Sequence, residues 1–115
     1  MALVTDAMAA AGVGSIGGAF KLGGRDVVVR DGVARGPGGE LAGSVLTMIG
    51  AVRNLHALGV PLEDALDAAT AVPAAVLGLT GIGRLDIGSP ADVVVLGDSL
   101  EIERVYGGGE ARVVA

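Results

Sequence analysis

The order of apolar and polar residues predicts a strand and a small antiparallel sheet in the first third of the chain. Leu3-Val4-Thr5 is a short apolar or β-branched run, and Asp6 follows at its end. The Asp31-Gly32 pair between two later apolar runs is a strong β-hairpin signal, because both residues tolerate positive φ. The further predicted strands of this region are Phe20 to Leu22, Val27 to Arg30 and Val33 to Arg35.

From Ser44 onward the apolar spacing changes to that of a helix. Ser44 is expected to cap the first turn, and Gly59 is a typical residue just after a helix end. Pro61 opens a second predicted helix, and Pro73 to Gly78 form a third. The apolar face of the first helix is predicted to hold Val45, Met48, Ile49, Val52 and Leu55. After Gly83 the predicted strands are Arg84 to Leu85, Asp92 to Leu96, Ile102 to Tyr106 and Ala111 to Val114.

Composition excludes several classes of function. The net charge is −5, its eight Lys and Arg residues are scattered, and only Phe20 and Tyr106 are aromatic, so we expect no nucleic-acid partner. The absence of cysteine excludes disulfides and thiolate metal sites and fits a cytoplasmic protein. The longest uncharged stretch, residues 68–83, is interrupted by proline and glycine, so we expect neither a membrane span nor a signal peptide.

Three other features favour structural interpretations. Gly12 to Gly17 matches the GxGxxG dinucleotide-binding spacing, but no strand runs directly into it and no helix follows, so a flexible loop is expected. His56, the single histidine, extends the apolar face of the first helix and is interpreted as structural. Glu101 and Glu103 alternate with apolar residues as on a half-exposed strand.

Asp6 is the strongest catalytic candidate among the individual residues. A carboxylate at the end of a buried strand must find partners. The C-terminal ends of parallel strands are also where α/β proteins place their active sites. Catalysis and a structural hydrogen-bonded role both remain open on the residues alone.

Several motifs together carry a family resemblance. Val4-Thr5-Asp6-Ala7 and Leu41-Ala42-Gly43-Ser44 with Leu46-Thr47-Met48 are similar to the closing portion of the N-acetylglucosamine-6-phosphate deacetylases. Gly83 to Leu96 resembles the closing segment of the amidohydrolase superfamily in general. The resemblance covers essentially the whole chain.

The resemblance implies an α/β fold that is the end of a larger enzyme. At 115 residues the chain is too short for a complete (β/α)8 barrel, which needs roughly 250. Residues 1–82 would be the last barrel strand, a hairpin excursion and helices, and residues 83–115 the C-terminal strands of a small β-sandwich domain. Asp6 would be the catalytic acid and base, taking a proton from a water activated by a metal and giving it to the departing amine. Leu41, Ala42 and Gly43 would line the substrate pocket.

The same resemblance implies a divalent metal, zinc or iron, in a full-length enzyme that acts on a small sugar phosphate and forms a homodimer. The family's ligands, a glutamate and histidines, have no counterpart in this sequence, so the chain is expected to be inactive alone. Two alternatives stay open: another amidohydrolase, similar to dihydroorotases or deaminases, and a non-catalytic, stand-alone α/β domain.

Overall fold

The computed structural model describes residues 1–8, 11–12, 18–30 and 32–113. They form two compact units, one of Val4–Ala51 and one of Met1–Leu3 with Val52–Ala115. Within these residues there are seven strands and three helices. This content agrees with the expected α/β class, whereas the end-of-barrel arrangement and the division between residues 82 and 83 stay predictions.

The first unit contains a four-stranded antiparallel sheet with its strands in chain order. Arg30 lies opposite Val33, which confirms the hairpin that the Asp31-Gly32 pair predicts, although Asp31 itself lies outside the described residues. Val27 and Ala34 are buried on the inner face of this sheet. Its strands are β1 (Ala19–Leu22), β2 (Arg25–Arg30), β3 (Val33–Arg35) and β4 (Leu41–Ser44).

The fourth strand of this sheet was not predicted as a strand. β4 pairs with β3, and the register shifts between Ala34 and Arg35. The preceding Gly-Pro-Gly-Gly loop is closed by a hydrogen bond from Gly39 N to Gly36 O of 2.9 Å, and Arg35 donates to Gly39 O at 2.9 Å. The residues of β4 are small and carry little β propensity, so the strand depends on pairing with β3.

The strand predicted at Leu3 to Thr5 does not form, so this expectation was wrong. The segment has no ladder, and Val4 is 79% exposed rather than buried. A parallel strand requires neighbours to take its backbone hydrogen bonds. Here the pairing is reduced to one bridge, from Ala7 to Ser44.

Helix α1 (Met48–Ala57) confirms the predicted helix but has a different cap. Thr47 Oγ1 accepts a hydrogen bond from Gly50 N at 3.2 Å, and Thr47 O accepts one from Ala51 N at 2.9 Å. Thr47 therefore caps this helix, whereas Ser44 lies too early in the chain to reach its first turn. Beyond the last turn Gly59 has a φ of 95°, as predicted for a residue that follows a helix.

Two short helices in the second unit pack through small side chains. They are α2 (Leu62–Asp67), which begins after Pro61 as predicted, and α3 (Ala71–Val76), which begins two residues before Pro73. Ala65 of α2 and Ala74 of α3 are buried, as is Ala68 just after α2. No helix of the described residues is both long and apolar enough to cross a membrane.

The second sheet is antiparallel and follows the helices. It contains β5 (Val93–Leu96), β6 (Ile102–Gly107) and β7 (Glu110–Arg112) in chain order. Asp92 Oδ1 accepts a hydrogen bond from Gly108 N at 2.7 Å, which joins the β6–β7 turn to the start of β5. The strand predicted at Arg84 to Leu85 is absent, and Leu85 is 79% exposed with no sheet neighbour.

One arginine joins α1 to the turn between β5 and β6. Arg53 donates from Nε at 3.1 Å and from Nη2 at 2.7 Å to the carbonyl oxygen of Leu100. Leu100 has a φ of 60°, which is unusual for a residue with a large side chain. The guanidinium thus holds the carbonyl of a strained turn with two hydrogen bonds.

We predict that Gly83→Ala destabilises the second unit more than Gly81→Ala. Both glycines have positive φ, 72° and 81°, so each alanine pays a backbone cost of about 1 to 2 kcal/mol. Only at Gly83 would the new Cβ lie 2.7 Å from Thr70 O, where the backbone must move, which adds about 1 to 3 kcal/mol. Urea unfolding of the two variants measures the difference, and equal free energies of unfolding would contradict it.

Candidate functional site

The backbone brings the Asp6 segment beside the end of β4. Ser44 N donates to Asp6 O at 3.3 Å, and Met8 N donates to Ser44 O at 2.8 Å. These two hydrogen bonds flank Ala7 and form a parallel bridge between Ala7 and Ser44. Asp6 is therefore hydrogen-bonded to the residue that follows Leu41, Ala42 and Gly43, which are predicted to line a substrate pocket.

Asp6 combines an exposed side chain with an unusual backbone conformation. Its φ is 48°, in the left-handed region that aspartate enters more readily than most residues. Among the described residues, no hydrogen bond or ion pair reaches its carboxylate, and its carbonyl oxygen is the group that pairs with Ser44. The choice between the catalytic role of Asp6 and the structural hydrogen-bonded role stays a prediction.

The three residues expected to contact substrate have different surroundings. Leu41 is 71% exposed, whereas Ala42 and Gly43 are half-buried. Gly43 has a φ of 144°, a conformation that residues with a side chain rarely adopt. A Cβ at Gly43 would lie 3.4 Å from Met8 Cβ and 3.6 Å from Met8 Sδ. The half-buried side chain of Met8 therefore lies on the side of Gly43 to which a Cβ would point.

Met8 and Ser44 belong to the site although the sequence interpretation gave neither a role in it. Ser44 Oγ accepts a hydrogen bond from Leu46 N at 2.9 Å, so it fixes the turn that leaves β4 rather than the first turn of α1. Its position directly after Leu41-Ala42-Gly43 was the available signal. Met8 carries no such signal, because a methionine among alanines gives no indication of its contact partner.

The described residues do not form the zinc or iron site that the resemblance implies. In these parts of the chain no three side chains of His, Cys, Asp or Glu lie together as a metal would require. His56 Nδ1 lies 2.9 Å from Val60 O just beyond α1, a hydrogen bond that suits its structural interpretation. Of the GxGxxG segment, residues 13–17 lie outside the described residues, so its loop interpretation stays a prediction.

A groove of about 310 Å³ lies elsewhere on the first unit. It includes neither Asp6 nor the residues of β4. Two arginines contribute to it, and one of them, Arg35, already donates to the carbonyl of Gly39 at 2.9 Å. The groove is lined by Val28, Arg30, Arg35, Gly36, Pro37 and Gly39.

The geometry at Asp6 suits proton transfer. An exposed carboxylate beside half-buried backbone can accept a proton from one group and return it to another when both lie within hydrogen-bond reach. Small residues on β4 allow a ligand to approach the backbone closely.

The sequence as a whole matches a known family of hydrolases. A model of the Amidohydrolase family matches residues 1–113, and the chain belongs to this family. More particularly, the chain is 44% identical over 114 residues to the human N-acetylglucosamine-6-phosphate deacetylase. It is 41% identical over 106 residues to the N-acetylgalactosamine-6-phosphate deacetylase of Escherichia coli O157:H7.

The fold of the chain is also similar to that of a solved deacetylase structure. The N-acetylglucosamine-6-phosphate deacetylase from Pasteurella multocida superposes with a TM-score of 0.88 at 31% identity, covering 98% of this chain and 30% of that one. In sequence, the chain covers 27% of the human enzyme, with 96% of its own length aligned, and 28% of the E. coli enzyme, with 90% aligned. The chain therefore spans between a quarter and a third of these proteins.

We predict that Gly43→Ala lowers the stability of the first unit more than Gly32→Ala. At Gly32 the φ of 74° is close to the left-handed region, where alanine costs about 1 to 2 kcal/mol. At Gly43 the φ of 144° lies far from that region, and we expect a cost of about 2 to 3 kcal/mol. Urea unfolding compares the two variants, and an equal or smaller loss at Gly43 would show that β4 tolerates a side chain there.

Proposed function

We propose that this chain contributes the acid/base residue and part of the substrate pocket to an enzyme that deacetylates N-acetylglucosamine 6-phosphate. The observation that carries the proposal is the pairing of the Asp6 segment with Ser44, at the end of the Leu41–Ser44 strand. The 44% identity to the human deacetylase supports the substrate. The products would be glucosamine 6-phosphate and acetate.

In the proposed reaction Asp6 moves one proton between two groups. As the water oxygen bonds to the acetyl carbonyl carbon, the Asp6 carboxylate accepts a proton from that water. When the carbon–nitrogen bond breaks, the same carboxyl group donates the proton to the departing amine. General acid–base catalysis of this kind contributes typically 10² to 10⁴-fold.

The strand β4 would hold the substrate for this transfer. Gly43 and Ala42 present little side-chain bulk, so a sugar can approach the backbone of the strand. The exposed side chain of Leu41 would pack against the apolar face of the sugar ring. Fixing the amide against Asp6 in this way contributes through orientation, which can supply several kcal/mol of barrier lowering.

The rest of the enzyme would come from outside the residues described. In this proposal residues 1–82 belong to the end of the catalytic barrel and residues 83–115 to a small β-sandwich domain. The zinc or iron ion, the homodimer and the cytoplasmic location expected from the resemblance are parts of the same proposal. The chain spans 27% of the human deacetylase, which is compatible with a metal site built by other parts of the enzyme.

Whether the substrate is the glucosamine or the galactosamine derivative needs a direct test. The chain is almost as similar to an N-acetylgalactosamine-6-phosphate deacetylase as to an N-acetylglucosamine-6-phosphate deacetylase. The identity is 41% over 106 residues for that relative and 44% over 114 residues for the glucosamine-specific one. Values of kcat/KM for the two N-acetylhexosamine 6-phosphates, measured on the full-length enzyme, decide between them. Inactivity on both sugars, with turnover of a cyclic amide or an aminated base, would favour another amidohydrolase.

We predict that Asp6→Asn in the full-length enzyme lowers kcat by about 10² to 10⁴-fold, because an amide cannot carry the proton. Asp26→Asn is the matched control, since Asp26 is an exposed residue of β2 opposite Lys21 and its substitution should leave kcat unchanged. Acetate release measures both. Full activity of Asp6→Asn, with the fold intact by circular dichroism, would favour the non-catalytic domain instead.

We also predict that the purified 115-residue chain releases no acetate from N-acetylglucosamine 6-phosphate when zinc or iron(II) is added. Its described residues bring no three ligating side chains together. Amide hydrolysis by this family's expected route needs the metal to activate water. The full-length enzyme serves as positive control, and metal-dependent turnover by the short chain would refute this expectation.

A further inference from the structure

The pairing that carries Asp6 is held by few backbone contacts. Two hydrogen bonds, which together form a single bridge, join the Asp6 segment to β4. A typical hydrogen bond contributes only about 1 kcal/mol net to stability. Backbone pairing alone therefore specifies weakly which residue of one segment lies opposite which residue of the other.

A slip of this pairing would move the carboxylate far from its place. One residue along a strand is a translation of about 3.3 Å. Misplacing a reacting group by about 1 Å can already cost 10²-fold in rate. The register between Asp6 and the substrate-lining strand is therefore a catalytic requirement of the proposed function.

The contact of Met8 with Gly43 is made in the observed register of the Asp6 segment against β4 and would be lost in a register shifted by one residue. The Met8 side chain lies over Gly43, with Cβ and Sδ at 3.4 and 3.6 Å from the position that a glycine Cβ would take. Successive residues of a strand face opposite sides, so Ala42 and Ser44 present the other face of β4. A slip of the Asp6 segment by one residue along β4 would move the Met8 thioether away from Gly43. Neither Met8 nor Gly43 would then have its present contact.

We propose that Met8 is a positioning residue, which fixes the register between the Asp6 segment and β4 by packing on Gly43. The inference rests on the proposed function of Asp6 but adds a residue with no role in proton transfer or in ligand contact. Methionine suits this task, because its unbranched thioether fits a shallow, irregular surface. The glycine itself is needed for its φ of 144°, while Met8 lies on the side to which a Cβ would point.

The test compares Met8→Ala with Met8→Leu in the full-length enzyme. Met8→Ala should speed amide hydrogen exchange of Met8 and Ser44 by about tenfold, because their pairing opens locally more often. It should also lower kcat about tenfold, while KM changes less than about twofold, since the misplaced group is Asp6 and not the pocket. Met8→Leu, with nearly the same volume, should restore both quantities.

Met48→Ala is the matched control, since Met48 begins α1 and is 39% exposed. It should change neither the exchange of the two amides nor kcat. Unchanged exchange in Met8→Ala would overturn the inference, whatever its activity. The same losses in Met48→Ala as in Met8→Ala, with a smaller folded fraction in both, would also overturn it by reducing Met8 to general packing.

The two proposals fail in different ways. If the wild-type enzyme turns over no acetylated sugar phosphate but the exchange responds to Met8 and not to Met48, the deacetylase proposal fails and the register role stands. If the wild-type enzyme is active and loses activity in Asp6→Asn, while Met8→Ala matches wild type in exchange and kcat, the proposed function stands and the register role is refuted.

Discussion

The local geometry of the site depends on Ser44 pairing with residues on both sides of Ala7. Its amide donates to Asp6 and its carbonyl accepts from Met8, at 3.3 and 2.8 Å. All other strand pairings of the described residues are antiparallel and join neighbours in chain order. This one parallel bridge therefore carries the long-range connection between an acidic side chain and the strand beside it.

Two unusual backbone conformations lie next to the bridge. Asp6 and Gly43, one on each side of the pairing, have φ values of 48° and 144°. Such conformations cost free energy and persist where surrounding contacts over-determine them. At Asp6 the result is that the backbone provides the pairing and the carboxylate stays exposed. At Gly43 the result is a strand face without a side chain.

Local signals in the sequence predicted local structure well. The Asp31-Gly32 pair indicated the β2–β3 hairpin, and the helical spacing from Val45 to Leu55 indicated α1, because both depend on residues close in the chain. The helix begins at Met48, so Val45 lies before it. The cap was assigned to Ser44 instead of Thr47, since both residue types suit the position and only geometry separates them.

Features that depend on distant partners could not be predicted in the same way. Leu3 to Thr5 has the composition of a strand but no ladder to join, and β4 has poor strand composition but a partner in β3. Asp6 was a candidate from its position after an apolar run as well as through a family resemblance, whereas Leu41 to Gly43 were selected through the resemblance alone. Their proximity to each other is a property of the fold. The contact between Met8 and Gly43 had no sequence signal at all.

The meander order of both sheets has a consequence for how the chain acquires its structure. Hairpins between adjacent strands close short loops, and such local pairings form quickly. The Ala7–Ser44 bridge must instead wait until the whole β1–β4 region has emerged and closed a long loop. During synthesis the hairpins of β1 to β3 can therefore form before the acidic residue reaches its position, so that the site is completed after most of the first sheet.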